Sequence, residues 1–475
     1  MDAFLSDINA GVFYQWILDH PVEGCTYRFE EDKKWQVRYV YIDNDQMHAE
    51  VRFNPLNIIE FEVEEKRTGE TAFYLHFQMN NLNHAASLYD EFTGAIANLN
   101  KKKVLKVLLS CSGGMTTSYF ANILNEGAGA INLDYEFNAT PYYHLFHEGD
   151  AYDVILLAPQ ISFNHAQVKS VLRNQLVIDI PPAVFAKYDV AEMLAVIRVE
   201  LEKDAMRKRL PVDIGIRRDI HNPVKSLVIS IVRHTGQVRL CYRLDDKDKL
   251  VESNEIIKQV IDINDIDDIV SVAMASHPDI AVLGITAPGV INDGYVDCVR
   301  DNLAHVQMKG YFEDKYHIPV LVSNDVNAIA VGLYATQEVY ENISFYFQPR
   351  GTIYAGIGNV IGGKLHTGWK NLSGEVQYLP EYAHPEGLDE DIKTTEGTLN
   401  LVSRNLCSEI ALVAPDVIYV YCDLIPDMDE LKQAIARTIP EAYIPEFVKS
   451  IHLKDYMLLG QMILCAQMME ESTAR

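Results

Sequence analysis

The chain has 475 residues, enough for about three domains at roughly 150 residues each, and its 41 Lys and Arg against 67 Asp and Glu leave a net charge of −26. That balance argues against nucleic acid as a partner, because a basic face is what draws phosphates. No apolar run approaches the roughly 18 residues of a membrane span, the acidic start Met1-Asp2-Ala3 is no secretory signal, and seven scattered cysteines without a CxxC pair fit reduced cytoplasmic thiols and no zinc site.

Residues 1–102 read as an α+β unit of unknown role. Phe4 to Leu18 has the spacing of a short amphipathic helix. Alternating sets follow: Trp35, Val37, Tyr39, Tyr41; then Ala49, Val51, Phe53; Ile59, Phe61, Val63; and Phe73, Leu75, Phe77. Period two with aromatic and β-branched residues predicts an antiparallel meander with one buried face, and these stripes are core rather than a binding platform. Asp43-Asn44-Asp45, Asn54-Pro55 and Thr68-Gly69 supply turns. Ala85 to Leu99 closes the unit as a helix, and Lys101-Lys102-Lys103 is a solvated linker.

Val104 to Leu109 reads as a buried strand. It runs into Cys111-Ser112-Gly113-Gly114-Met115-Thr116-Thr117-Ser118, after which Tyr119 to Leu124 starts a helix. A cysteine at a strand-to-helix turn lies under unpaired backbone N–H groups and the positive end of a helix dipole. That setting lowers a thiol pKa and makes a nucleophilic thiolate, and the same N–H groups cradle a phosphoryl group. The rival reading is an inert buried cysteine beside a tight turn. Further on come Tyr152-Asp-Val-Ile-Leu-Leu-Ala-Pro-Gln-Ile161 and Val177-Ile-Asp-Ile180. With the cysteine loop, these segments resemble the lactose/cellobiose-type IIB components of the bacterial sugar phosphotransferase system over residues 103–198. Gly113 stands where alanine is usual. Alternating strands and helices imply a parallel sheet with helices on both faces. The resemblance implies that Cys111 takes phosphate from a phosphohistidine of a IIA protein and passes it to sugar at the IIC permease, with Ser112 to Ser118 holding the phosphoryl group. His144, His147 and His165 read as surface histidines.

Residues 199–223, charged from Glu200 to Arg209 and again from Asp213 to Arg218, read as a helix and a linker. From 224 to 475 the chain alternates apolar strands with polar turns. Leu227 to Val232 is a strand, Leu283 to Tyr295 carries turn glycines, and Ile318 to Ala328 is a strand ending in polar residues and entering a helix. Gly356 to Leu365 is a glycine-rich hairpin, Gly374-Glu375 marks a turn, and Val417 to Tyr421 is a late strand. Asn324-Asp325 at a strand end suits sugar hydroxyls, with the carboxylate able to serve as a general base.

Gly284 to Gly289, Asn302-Leu303, Asn324-Asp325 with Asn327-Ala328, Gly363-Lys364-Leu365 and Gly374-Glu375 together resemble the ROK family of sugar kinases and sugar-responsive repressors. The resemblance implies a two-lobed actin/hexokinase-like fold, with Asn324, Asp325 and Glu375 touching sugar hydroxyls and Asp325 as the base of a kinase. The nucleotide side departs from the pattern. The family opening Asp-x-Gly-Gly-Thr is replaced in Val228 to Thr235, and Asp213-Ile-Gly215 is a decoy. Ile353-Tyr354 stands where phosphate needs space, Tyr421-Cys422 replaces a glycine pair, Tyr378 replaces a histidine, and the zinc cluster Cys-x-Cys-Gly is missing.

The whole therefore reads as an α/β multidomain chain: a meander unit, a IIB-like phosphocysteine domain and a ROK-like pseudokinase that senses sugar or sugar phosphate. The expectation is a cytoplasmic phosphotransferase-system component or regulator, a homo-oligomer, partnered by IIA and IIC proteins, without ATP, magnesium, zinc or nucleic acid. The alternatives are an active ATP-dependent sugar kinase and a purely non-catalytic regulator.

Overall fold

The alternating segments of the first hundred residues form the antiparallel sheet that their period demands. The structure, a computed structural model, describes residues 2–473 apart from 67–68, 101–103, 132, 173–174, 209–217, 219, 235–236, 299–302, 350–352, 380–381, 383–387, 389–391, 393 and 426. The lysine linker 101–103, Arg209 and the Asp213-Ile-Gly215 decoy thus lie outside the described residues. The first unit comprises α1 (Asp2–Asp19), β1 (Thr26–Asp32), β2 (Val37–Asp43), β3 (Met47–Phe53), β4 (Ile58–Glu65), β5 (Glu70–Gln78) and α2 (Leu82–Asn100), with the five strands paired in sequence order. Ala49, Val51, Phe53, Ile59, Phe61, Val63, Phe73, Leu75 and Phe77 pack under α1 and α2 with Phe13, Tyr89 and Phe92.

In β2 Val37 is buried as expected, but beyond it the phase is reversed. Val40 and Ile42 are fully buried, Trp35 is 64% exposed, and Tyr39 and Tyr41 stack on the outer face at 5.6 Å. The β-branched residues take the core, while the tyrosines accept a half-wet face because each ring carries a polar tip. Arg28 on the charged edge strand β1 covers the Tyr41 ring at 4.0 Å.

The second unit contains β6 (Leu105–Cys111), α3 (Met115–Ala130), β7 (Tyr135–Pro141), α4 (Tyr142–Glu148), β8 (Val154–Leu157), α5 (His165–Val171), β9 (Leu176–Asp179), α6 (Pro182–Lys187) and α7 (Val190–Lys208). Its sheet is parallel in the order β7-β6-β8-β9, with a separate apolar core on each face.

The third unit starts with β10 (Lys225–His234), β11 (Gln237–Asp246), β12 (Lys249–Lys258), α8 (Ile263–Ser276), β13 (Val282–Ala287), the hairpin β14 (Tyr295–Cys298) and β15 (Leu303–Gln307), α9 (Met308–Tyr316), β16 (Val320–Asn324) and α10 (Asp325–Ala335). A second lobe follows: β17 (Ile343–Gln348), β18 (Gly356–Ile361), β19 (Lys364–His366), α11 (Thr395–Leu412), β20 (Val417–Cys422), α12 (Met428–Ala436), β21 (Glu446–Lys449) and α13 (Leu453–Thr473). Both lobes use one plan. Strands β12-β11-β10 and β19-β18-β17 are antiparallel, and parallel strands then extend each sheet, β13-β16 in one and β20-β21 in the other. This is the expected actin/hexokinase-like pair of α/β lobes. Helices α10 and α13 cross between the lobes so closely that a Cβ on Gly460 would sit 1.8 Å from the Ala328 carbonyl oxygen.

The sheet does not stop where the sequence suggests a boundary. Strand β5 pairs antiparallel with β12 at Tyr74 and Ile257, which makes one ten-stranded sheet of β1 to β5 followed by β12-β11-β10-β13-β16. One continuous apolar core lies beneath it, from Phe13 to Phe312. Ion pairs bind α2 to buried charges of the first lobe: Lys258 pairs with Asp265 and reaches Glu91 Oε2 at 2.8 Å, and His84 Nε2 lies 3.0 Å from Asp268. Burial raises the Asp268 carboxyl to about 6 against the opposing pull of His84. The IIB-like unit is therefore inserted between two segments of one sheet. A chain cut to residues 220–475 would bare the β12 edge and the α8 face. The expected outcome is aggregation on size-exclusion chromatography under conditions where the intact chain elutes as one species.

Candidate functional site

Strand β6 is central in its sheet, between β7 and β8, and delivers Cys111 to the carboxyl edge, where open α/β sheets place ligands. Gly114 then adopts φ +82°, a left-handed conformation that glycine takes without a Cβ penalty. This turn brings the Gly114 amide back to donate to Cys111 Sγ at 3.0 Å. Thr117 Oγ1 lies 3.2 Å from the sulfur and Thr116 Oγ1 3.7 Å. The Thr117 hydroxyl also sits 3.0 Å from the Gly114 carbonyl, so its one proton can turn toward a thiolate. Burial pushes the thiol up, but hydrogen bonds from Thr117, Thr116 and the Gly113 and Gly114 amides outweigh it and leave Cys111 below the ordinary thiol value.

The loop also roofs the sulfur, since Cys111 is only 2% exposed while Met115 in the same loop is 85% exposed. Ser112, Gly113 and Thr116 are exposed as well. Ser118 Oγ donates to the Gly114 carbonyl at 2.8 Å and so braces the turn. Helix α3 begins at Met115, four residues before the expected start, so the first turn of the helix itself belongs to the cradle. None of His144, His147 and His165 is among the sulfur's hydrogen-bond partners; His165 Nδ1 instead meets Asp179 at 3.0 Å.

The second constellation lies where the two lobes face each other. Asn324 ends β16 and Asp325 opens α10. Asn324 accepts from the Asn327 amide at 3.0 Å and donates to the Gly289 carbonyl at 2.8 Å. Both ends of that side chain are engaged, so it shapes the site by holding the Gly289 loop. Asp325 Oδ1 accepts from the Val326 amide at 2.8 Å. Glu375 comes from the other lobe, held by its bridge to Gly356, and accepts from Gln377 at 3.0 Å.

Burial raises Asp325 to about 7, and the Glu375 carboxylate adds to the rise. Burial likewise raises Glu375. Carboxylates from the two lobes thus act on one another electrostatically, and burial favours the protonated form of each. A carboxyl whose folded pKa lies above its unfolded value of about 3.9 binds a proton in the native state that the unfolded chain has lost. Its contribution therefore lowers stability as pH rises from about 4 to about 7. Asp325→Asn should raise the melting temperature at pH 8, with the gain over wild type vanishing toward pH 4, as a calorimetric pH series would report.

The nucleotide side differs in detail from expectation. Ile353 packs against the second lobe's core, but Tyr354 is 54% exposed and does not fill the space assigned to it. Strand β10 runs through Val232 and Arg233 to His234, and Thr235 lies outside the described residues, as does Asn302. The Tyr421 ring lies 5.4 Å from Phe347, and Cys422 is 2% exposed. Behind the end of β17, Tyr346 is fully buried and donates to Gln348 at 2.6 Å, while Asn405 donates to the Tyr346 and Tyr382 hydroxyls at 3.0 Å each. Sequence reasoning missed this buried network, because nothing marks Tyr346 or Asn405 apart from ordinary core and helix positions. It also missed Asn371, whose side chain donates to the Ile291 carbonyl at 2.7 Å.

The family model for the lactose/cellobiose-specific IIB subunit of the phosphotransferase system matches residues 106–195, and the model for the ROK family matches residues 226–381. The chain thus joins a IIB domain to a ROK domain in one polypeptide. The xylose repressor of Bacillus subtilis is 28% identical over 140 residues, which is 28% of this chain and 35% of that repressor. The chain spans only 26–35% of the length of the curated relatives it matches. Among solved structures, a ROK family glucokinase from Streptomyces griseus, in complex with glucose and AMPPNP, is 17% identical with a TM-score of 0.39, covering 51% of this chain and 99% of that one. The lactose-specific IIB domain of Streptococcus pneumoniae is 27% identical with a TM-score of 0.19, covering 20% of this chain and 96% of that one. Among the described residues no helix is long and apolar enough to cross a membrane.

Proposed function

We propose that the protein is a sugar phosphotransferase-system component in which Cys111 receives a phosphoryl group from the phosphohistidine of a IIA protein. The sulfur cradle carries this reading: a thiol at a strand end, held below its ordinary pKa by two threonine hydroxyls and two glycine amides. In the transfer the thiolate attacks phosphorus, the S–P bond forms as the N–P bond of the donor breaks, and the donor imidazole takes back the electron pair. The same Gly113 and Gly114 amides and the start of α3 then face the phosphoryl oxygens. Because the loop roofs the sulfur, its Ser112–Gly113 crest must yield to admit the donor. Incubating the intact chain with the phosphorylated general components and candidate IIA proteins tests the proposal. The expected result is one phosphate per chain with the chemical stability of a thiophosphate ester, which a IIC permease loaded with sugar would discharge.

In this reading the ROK half binds a sugar or sugar phosphate between Asp325 and Glu375 and does not turn over ATP. The replaced Asp-x-Gly-Gly-Thr segment and the buried Tyr346–Asn405–Tyr382 network support it. One observation favours the rival, an ATP-dependent sugar kinase: Asp325 titrates near neutrality, as a general base should. A thermal-shift titration with ATP and magnesium decides between them, since nucleotide binding raises the melting temperature by mass action and a pseudokinase without a nucleotide site gives no shift.

A further inference from the structure

The proposed sugar cleft is lined from both lobes, and the Asn371 side chain of one lobe bonds to the other. The loop Gly368 to Glu375 follows the β18–β19 hairpin of the second lobe. Within it Lys370 and Asn371 stand at φ +51° and +58°, two consecutive non-glycine residues in the left-handed region. Such residues cost free energy and persist where the surroundings hold them. The loop is held at both ends: the Ser373 amide donates to the Thr367 carbonyl at 2.9 Å, and the Ile357 amide donates to the Gly374 carbonyl at 2.9 Å. Its crest carries Asn371 Nδ2 to the Ile291 carbonyl at 2.7 Å. Ile291 is 3% exposed and belongs to the first lobe's core, so the acceptor is fixed.

Two residues before Ile291, the Gly289 carbonyl accepts the Asn324 side chain at 2.8 Å. Four residues after Asn371 stands Glu375. A closed circuit results, running from Asn324 and Asp325 through Gly289 and Ile291 across to Asn371 and back to Glu375. No other residue of the loop bonds to the first lobe among the described residues.

We infer that Asn371 is the positioning residue of the sugar cleft: its bond to the Ile291 carbonyl latches the two lobes and sets the spacing between Asp325 and Glu375. This inference rests on the reading of the cleft as a sugar site and names how that site is regulated. Asparagine suits the task because its amide supplies the donor and its short side chain tolerates the left-handed backbone. With the latch made, the carboxylates face each other across a fixed gap. With it broken, the cleft opens and a sugar enters or leaves faster. One hydrogen bond of ordinary strength shifts such an equilibrium by roughly two- to tenfold.

Hydrogen exchange on the intact chain provides the test. Asn371→Ala should raise exchange in the first-lobe segment 288–295 by roughly two- to tenfold, with no change in strands β6 to β9. Asn371→Gly relieves the left-handed backbone while removing the donor, and should open the same segment to the same degree. Asn371→Asp keeps the shape but sets a carboxylate against a carbonyl, and should behave likewise. Unchanged exchange in 288–295 for all three variants would overturn the latch, and opening by alanine but not by glycine would assign the effect to backbone strain and also overturn it. This arm needs no ligand, so it stands apart from the sugar-site reading, which fails separately if no member of a panel of hexoses, pentoses and their phosphates binds the wild type. For any sugar that does bind, both association and dissociation in Asn371→Ala should quicken by roughly two- to tenfold, and unchanged rates would also overturn the latch.

Discussion

Phosphate labelling of the intact chain by a phosphorylated IIA protein should fall to background in Cys111→Ser, with folding intact. Serine fills the same place, but its hydroxyl is a weak nucleophile without an adjacent base, and none of the histidines of this domain is hydrogen-bonded to the position. In the proposed transfer the thiol serves because its pKa lies within reach and the cradle lowers it further. The same cause predicts the pH profile of alkylation. Iodoacetamide should react with Cys111 with a midpoint below the ordinary thiol value of about 8.5. In Thr117→Val, which keeps the volume and removes the 3.2 Å hydroxyl, the midpoint should move up and alkylation at pH 7 should slow several-fold. An unmoved midpoint would mean that the threonine proton stays on the Gly114 carbonyl and never serves the sulfur. Five of the other described cysteines, at 25, 241, 407, 422 and 465, are pushed up by burial, so the low-pH reaction at Cys111 stands apart from them.

Gly460→Ala should destabilise the two-lobed half by about 1–3 kcal/mol. Helices α10 and α13 touch backbone to backbone at this point, with the Ala328 carbonyl 1.8 Å from where the new Cβ would lie and the Gly332 amide 2.8 Å away. Neither is a flexible side chain, so a whole helix must shift. Gly94→Ala provides the control, since a Cβ there meets nothing within 4 Å. It sits inside α2, where alanine is favoured over glycine by about 0.5–1 kcal/mol. Urea midpoints should therefore move in opposite directions for the two substitutions. A Gly460→Ala midpoint equal to wild type would mean that the crossing is looser than the structure has it.

Much of the fold is legible in the residues alone. Strands β3 and β4 show strict alternation, β5 breaks it at the buried His76, and all three bury the predicted side chains. Strand β2 misleads because tyrosine is both a strand former and an acceptable surface residue, so the stripe Tyr39–Tyr41 reads as core while Val40 and Ile42 are the buried pair. Strand β1, Thr26-Tyr-Arg-Phe-Glu-Glu-Asp, carries too much charge to be seen as a strand without its partner. The joining of β5 to β12 leaves no local trace, since pairing across so long an interval is set by edges that meet only in three dimensions. At the sites, the Cys111 loop is local in sequence and its cradle follows from the turn. Glu375 and Asp325 could be matched to a pattern, but Asn371 could not, because its partner is a backbone carbonyl that any residue at 291 would offer.

The single contact row between β5 and β12 also bears on how the protein is made. Between Gln78 and Lys249 the ribosome adds about 170 residues, which takes roughly 10–35 s at the usual 5–20 residues per second. For that time the β5 edge waits without a mate, while the inserted unit completes its own fold. A nascent chain in that condition is a natural client for chaperones, and slowing translation past the insertion should cost more soluble product than slowing it anywhere else.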